Sequence, residues 1–112
     1  VALARQFPST TFILGHMGFG PADQEGLEAA RELDNFFLET STGNFLHIRE
    51  SVRKAGASKI IFGSEFPLSH PGVELKKILL LKISADEMEK ILSRNIKALL
   101  HLAGEDQDAN NG

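Results

Sequence analysis

A chain of 112 residues is one domain's length at most, and long enough to bury a real core. It is 42% hydrophobic and 24% charged with net charge −3, and its only basic doublets, Arg53-Lys54 and Lys76-Lys77, stand on helical faces, which argues against a nucleic-acid partner. No run of about 20 apolar residues is present to span a membrane, no secretory signal opens the chain, and the absence of cysteine excludes a disulfide framework and fits a cytoplasmic protein.

The opening VALARQFP reads as the tail of a helix already under way. Three short apolar runs follow: Thr11–Gly15 (TFILG), Asn35–Thr40 (NFFLET) and Lys59–Gly63 (KIIFG). Their lack of polar alternation predicts strands covered on both faces, as in a parallel sheet. Between them PADQEGLEAAREL predicts a helix whose core side is Leu27, Ala30 and Leu33, with proline and acids at its start. GNFLHIRESVRKAG predicts a second helix, with Phe45, Ile48, Val52 and Ala55 inward, a stop at Gly56, and His47 opposite the stripe and exposed.

After the third strand, GVELKKILLLKI carries Leu75, Ile78 and Leu79 on one predicted face. The last segment, SADEMEKILSRNIKALLHLAG, opens on a capping box, Ser84 and Glu87, and runs to Gly104 with Met88, Ile91, Leu92, Leu99 and Leu102 as its stripe. Asn95 interrupts that stripe. A buried amide must find partners, so it reads as a structural tie to a neighbouring loop. Residues 104–112 read as a flexible acidic tail.

Strands alternating with helices imply an α/β fold with right-handed crossovers. Strand starts at 11, 35 and 59 are evenly spaced by 24 residues, which leans towards a (β/α)8 barrel over a doubly wound sheet. In both architectures ligands bind at the carboxyl ends of the strands. Those ends carry His16 after the first strand, Glu39, Thr40 and Ser41 after the second, and Ser64 and Glu65 after the third. An imidazole and a carboxylate at such a rim can bind a metal or pass a proton to and from water. Glu39, Thr40 and Ser41 read as a loop pin or cap, and His16 as either a structural or a site residue. Glu65 reads as a held carboxylate, because Pro67 and Pro71 stiffen the loop after it. His70 shares that loop and reads as exposed, and His101 sits near a helix C-terminus where a cation is favoured. GHMGFG runs opposite to the dinucleotide spacing, and no H-x-H, H-E-x-x-H, C-x-x-C, Walker A or G-x-S-x-G motif occurs.

In order and spacing, RQFPSTTFILGHMG, FFLETS, AGASKIIFGSEFP and MEKILSRNIKALL resemble the C-terminal half of amidohydrolase-related metal-dependent hydrolases over residues 1–103. That family has a distorted (β/α)8 barrel and includes non-oxidative decarboxylases of the aminocarboxymuconate-semialdehyde and hydroxybenzoate type. The resemblance implies the C-terminal portion of a TIM-like barrel, about three β/α units plus a final helix. It makes His16 the sixth-strand histidine that polarises substrate or helps orient the metal-bound water. Glu65 stands at the eighth-strand position, a metal ligand and proton acceptor, and Asn95 at the final-helix asparagine. It further implies a small-molecule substrate and a divalent metal, zinc, in the complete barrel, with none in this chain alone as the alternative.

Two features depart from the family pattern. Glu39 and Glu65 stand where aspartate is usual, and the extra methylene displaces a carboxylate by about 1.5 Å where a site tolerates about 0.5 Å. The H-x-H of the first strand and the fifth-strand histidine are absent, so this chain supplies at most two of the roughly three protein ligands a catalytic zinc needs. A barrel needs about 250 residues and eight strands, so the sequence reads as part of a longer barrel, an excised or cleaved piece, or a half that pairs with another chain. Its sheet edges are expected to be covered by the remainder of the barrel or by a second copy. The alternative function is a non-catalytic remnant acting as an assembly or interaction module.

Overall fold

Three parallel strands carry the frame, in the spatial order in which they occur in the sequence. The computed structural model describes residues 1–18 and 20–101. A short helix α1 (Ala2–Gln6) leads into β1 (Phe12–Leu14), α2 (Gln24–Glu32), β2 (Phe36–Glu39), α3 (Phe45–Ala55) and β3 (Ile60–Ile61). Then come α4 (Pro71–Leu79) and a last helical segment made of α5 (Ala85–Glu89), a π turn (Lys90–Arg94) and α6 (Asn95–Leu99). The predicted strands and helices are all present within a few residues. The tail, and the predicted ends at Leu102 and Gly104, lie outside the described residues.

Register pairs Phe12 with Phe36, Leu14 with Leu38 and Leu38 with Ile60. Alternation along each strand therefore sets Phe12, Leu14, Phe36, Leu38 and Ile60 on one face. They pack with Leu27 and Ala30 of α2, Ile48 and Val52 of α3, Ile78 of α4 and Ile91 of the last segment. Leu27, Leu38, Ile48, Ile60 and Ile78 are fully buried, each contributing about 2 kcal/mol of apolar burial. The opposite face is covered in part: Ile61 is buried there, while Ile13 is 45% exposed.

Local signals explain the helix starts. Asp23 accepts from the Gly26 N–H at 2.8 Å, and Asn44 from the Leu46 N–H at 2.8 Å, both as N-caps. A side chain at Gly26 would place its Cβ 2.5 Å from Leu14 Cδ2, so α2 packs directly on β1. Ser84 and Glu87 form the predicted capping box. The Asp86 carboxyl is held below its ordinary range by hydrogen bonds from Arg94 and Lys90.

Three helical expectations change. Leu79 is 52% exposed and Leu81 is buried in its place, because α4 stops at Leu79 and Lys82 takes a left-handed φ of 54°. The last helix is not continuous. Within its π turn the Asn95 N–H reaches back to Lys90 O, and the Ile91 carbonyl accepts instead from the Phe62 N–H at 3.0 Å. Asn95 then donates to Ala57 O at 2.7 Å and Ile60 O at 2.8 Å, the predicted structural tie. The last segment is thus stitched to both ends of β3.

His47 is the third correction. It is 4% exposed, not solvent-facing. The buried residues of α3 are His47, Ile48, Ser51 and Val52, an arc rotated from the predicted stripe because α3 packs against α2 as well as the sheet. Both His47 ring nitrogens and Ser51 Oγ are buried without a hydrogen-bond partner. An orphaned hydroxyl confers no net stability, so Ser51→Ala is expected to leave the unfolding free energy unchanged or raise it by up to about 1 kcal/mol in urea denaturation. A loss beyond about 1 kcal/mol would show that the hydroxyl has a partner.

Candidate active site

The strand ends converge on one rim. After β1 the chain turns through Gly15–Met17, with His16 at φ 59°, Met17 at φ 52° and Gly18 at φ 79°. Gly18 is required twice over, by its φ and because a Cβ there would lie 2.5 Å from the Asp23 side chain. After β3 the chain reaches Glu65 at φ 52°, followed by a cis Phe66–Pro67 peptide. Left-handed φ in non-glycine residues is uncommon and clusters where surrounding structure holds a side chain for function. Of the six such residues described, His16, Met17, Thr42 and Glu65 border this rim.

His16 Nε2 lies 3.7 Å from Glu65 Oε2, with the two side chains 30% and 43% exposed. The separation exceeds a hydrogen bond. It is close to the spacing of two ligands on one ion, about 3.4 Å for tetrahedral bonds near 2.1 Å. An imidazole nitrogen and a carboxylate oxygen are donors a divalent ion accepts, so the pair fits part of a metal site. Among the described residues no group of three His, Cys, Asp or Glu side chains could hold a metal.

Beneath the pair sits Glu39. Its Oε2 accepts from the His16 backbone N–H at 3.0 Å and from Ser41 Oγ at 2.7 Å, and its Oε1 from the Ser41 N–H at 2.8 Å. The pin expected of Glu39 and Ser41 is what the structure contains. His16 Nδ1 turns inward, with Ser41 Oγ at 2.9 Å, Ser41 O at 3.2 Å and Thr42 Oγ1 at 3.3 Å. Thr40 and Ser41 are buried.

A second network, missed in the sequence, anchors the Glu65 loop. The Ser69 N–H donates to Glu65 O at 3.2 Å, and Ser69 Oγ to Glu74 Oε1 at 2.8 Å. Glu74 is 2% exposed and pairs with Lys77 at 3.0 Å. Lys77 also donates to Gly43 O, behind β2, at 3.0 Å. The available signal was a serine just before a helix with an acid in its first turn. His70 does not join the rim: its Nδ1 accepts from the Gly72 N–H at 2.9 Å and caps α4. His47 lies in the core instead.

The amidohydrolase family model matches residues 1–102. The chain belongs to the amidohydrolase family. No curated protein matches its sequence. Among solved structures this amidohydrolase is similar to 2,6-dihydroxybenzoate decarboxylase from Rhizobium, with TM-score 0.69 and 21% identity over 89% of this chain and 37% of that one. A dihydroxybenzoic acid decarboxylase from Polaromonas sp. JS666, holding manganese and 2-nitroresorcinol, gives TM-score 0.69 and 23% identity over 89% and 36%. 5-Carboxyvanillate decarboxylase from Sphingomonas paucimobilis gives TM-score 0.68 and 20% identity over 88% and 36%. The chain spans little more than a third of the length of these proteins, and the shared fold is part of a TIM barrel. Among the described residues no helix is long and apolar enough to cross a membrane.

Proposed function

We propose that this amidohydrolase chain supplies His16 and Glu65 to a metal-dependent barrel acting on a small carbonyl or carboxylate compound. The observation that carries the reading is the 3.7 Å approach of His16 Nε2 to Glu65 Oε2 across two strand ends. The remaining ligands would come from strands outside this chain. A divalent ion held there, zinc or manganese, would polarise a carbonyl or carboxylate oxygen and make water more acidic. The Glu65 carboxylate is placed to accept a proton from water, and His16 Nε2 faces the same point. Phe66 and Leu68, 69% and 75% exposed beside Glu65, give the rim an apolar flank suited to a carbon skeleton. The manganese-containing relative favours a divalent metal, and the hydroxybenzoate decarboxylases make loss of CO2 the first reaction to assay, before hydrolysis. Lack of cysteine supports a cytoplasmic setting.

The test is Glu65→Gln in a complete barrel containing this chain. Turnover of a dihydroxybenzoate, read as CO2 release, or of a lactone or amide, read as hydrolysis, is expected to fall at least about 100-fold. Unchanged turnover would remove Glu65 from the chemistry. Turnover absent from the parent and from a Glu65→Asp variant alike would favour the second reading, an assembly module. The exposed Ile13 side chain supports that alternative.

A further inference from the structure

Imidazole has one proton to place when neutral, and its neighbours decide which nitrogen holds it. Around His16 Nδ1 the decisive neighbour is the Ser41 carbonyl at 3.2 Å, which can only accept. The Ser41 hydroxyl at 2.9 Å could accept or donate. Its proton is committed elsewhere, because Glu39 Oε2 lies 2.7 Å from Oγ on the other side and a carboxylate only accepts. Glu39 is itself immobilised by the His16 and Ser41 backbone N–H groups. Glu39 therefore makes Ser41 Oγ an acceptor towards His16. The Ser41 carbonyl and hydroxyl then face Nδ1 as acceptors, and the Thr42 hydroxyl, more distant at 3.3 Å, can turn its lone pair to the same proton.

We infer that Glu39, acting through Ser41, is a positioning residue that fixes His16 as the Nδ1–H tautomer, with the Nε2 lone pair facing Glu65. A lone pair and a carboxylate 3.7 Å apart are both acceptors, and a cation or a proton donor can sit between them. Neutral His16 is then a ligand or proton acceptor through Nε2. It cannot act as a neutral N–H donor to developing negative charge there. The extra methylene of Glu39 has a physical use in this scheme: its carboxylate lies over Gly63, where a Cβ would approach Oε1 to 1.8 Å. From there it spans both the His16 and Ser41 amides. The inference concerns the proposed active-site rim but stands on the hydrogen bonds of this chain alone. Its failure would leave the metal-dependent reading to its own test.

The experiment reads ring ¹⁵N shifts of the full chain labelled at histidine, at a pH above the ordinary histidine range. His16 is assigned by its loss in His16→Gln. The expected spectrum has a pyrrole-type Nδ1 and a pyridine-type Nε2, with the Nδ1–H form at least tenfold in excess. Glu39→Leu frees the Ser41 hydroxyl proton to turn towards Nδ1, and the excess is expected to fall at least threefold. Adding Ser41→Ala to Glu39→Leu removes that competing donor, leaves the Ser41 carbonyl at 3.2 Å and the Thr42 hydroxyl at 3.3 Å, and restores the Nδ1–H excess. A merely structural role for Glu39 would not produce that rescue. An even mixture or an excess of Nε2–H in the unsubstituted chain overturns the inference, and so does a Glu39→Leu spectrum unchanged from the parent. Should Glu39→Leu fail to fold, the unsubstituted chain and Ser41→Ala decide: both must keep the Nδ1–H form.

Discussion

Gly63→Ala is expected to destabilise the chain by about 3 kcal/mol in urea or thermal unfolding, the sum of two or three lost charge-assisted hydrogen bonds at about 1–1.5 kcal/mol each. The φ of this glycine is not the reason. A Cβ at position 63 would stand 1.8 Å from Glu39 Oε1 and 2.7 Å from its Cδ, inside any allowed contact. The carboxylate is the end of a flexible side chain and can swing away, so steric overlap alone would cost little. Swinging away, however, leaves the His16 and Ser41 N–H groups and the Ser41 hydroxyl without their acceptor. Ser41 is 2% exposed, so water replaces the acceptor poorly. Stability within about 0.5 kcal/mol of the parent would mean that the Glu39 contacts contribute nothing. Pairing Gly63→Ala with Glu39→Ala checks the cause, since the double variant should cost little more than Glu39→Ala alone.

Asn95→Asp is expected to have the larger effect on the back of the sheet, with a loss of about 3–5 kcal/mol. The amide donates both hydrogens, to Ala57 O and Ile60 O. An isosteric carboxylate has no hydrogen to give and would point its charge at two carbonyl oxygens in a partly buried site. Asn95→Ala removes the donors without adding charge and should cost less, about 2 kcal/mol. The order Asp worse than Ala separates a hydrogen-bonding role from a space-filling one. A site that needed only volume would tolerate Asn95→Asp and lose stability in Asn95→Ala alone. Because the π turn also offers the Ile91 carbonyl to Phe62, loss of Asn95 should loosen β3 first, seen as faster amide exchange at Phe62.

Much of this was legible in the residues. Uninterrupted Ile, Leu and Phe runs located the strands, Gly56 and the Ser84–Glu87 box located helix ends, and Asn95 within an apolar stripe announced a buried tie. His16 and Glu65 were legible as candidates because parallel strands deliver their C-terminal residues to one rim. Their 3.7 Å approach was not, since it depends on two left-handed residues at the turns. His47 was misplaced for a reason of geometry: a helix covered by both a sheet and another helix buries a wider arc than one stripe shows. The π turn left no mark in the sequence pattern, because Met88, Ile91, Leu92 and Asn95 keep α-helical spacing across it. Glu74 and Lys77 looked like ordinary surface charges at i and i+3, and only the path of the Ser69 loop buries the acid.

The most direct measurement is a manganese titration of the complete barrel, followed by paramagnetic broadening of the His16 ring nitrogens. The expected result is one ion whose arrival broadens His16 and whose affinity falls at least tenfold in Glu65→Gln. Manganese that binds without touching the His16 signals, or with the same affinity when Glu65 is gone, would contradict a cation shared by these two side chains.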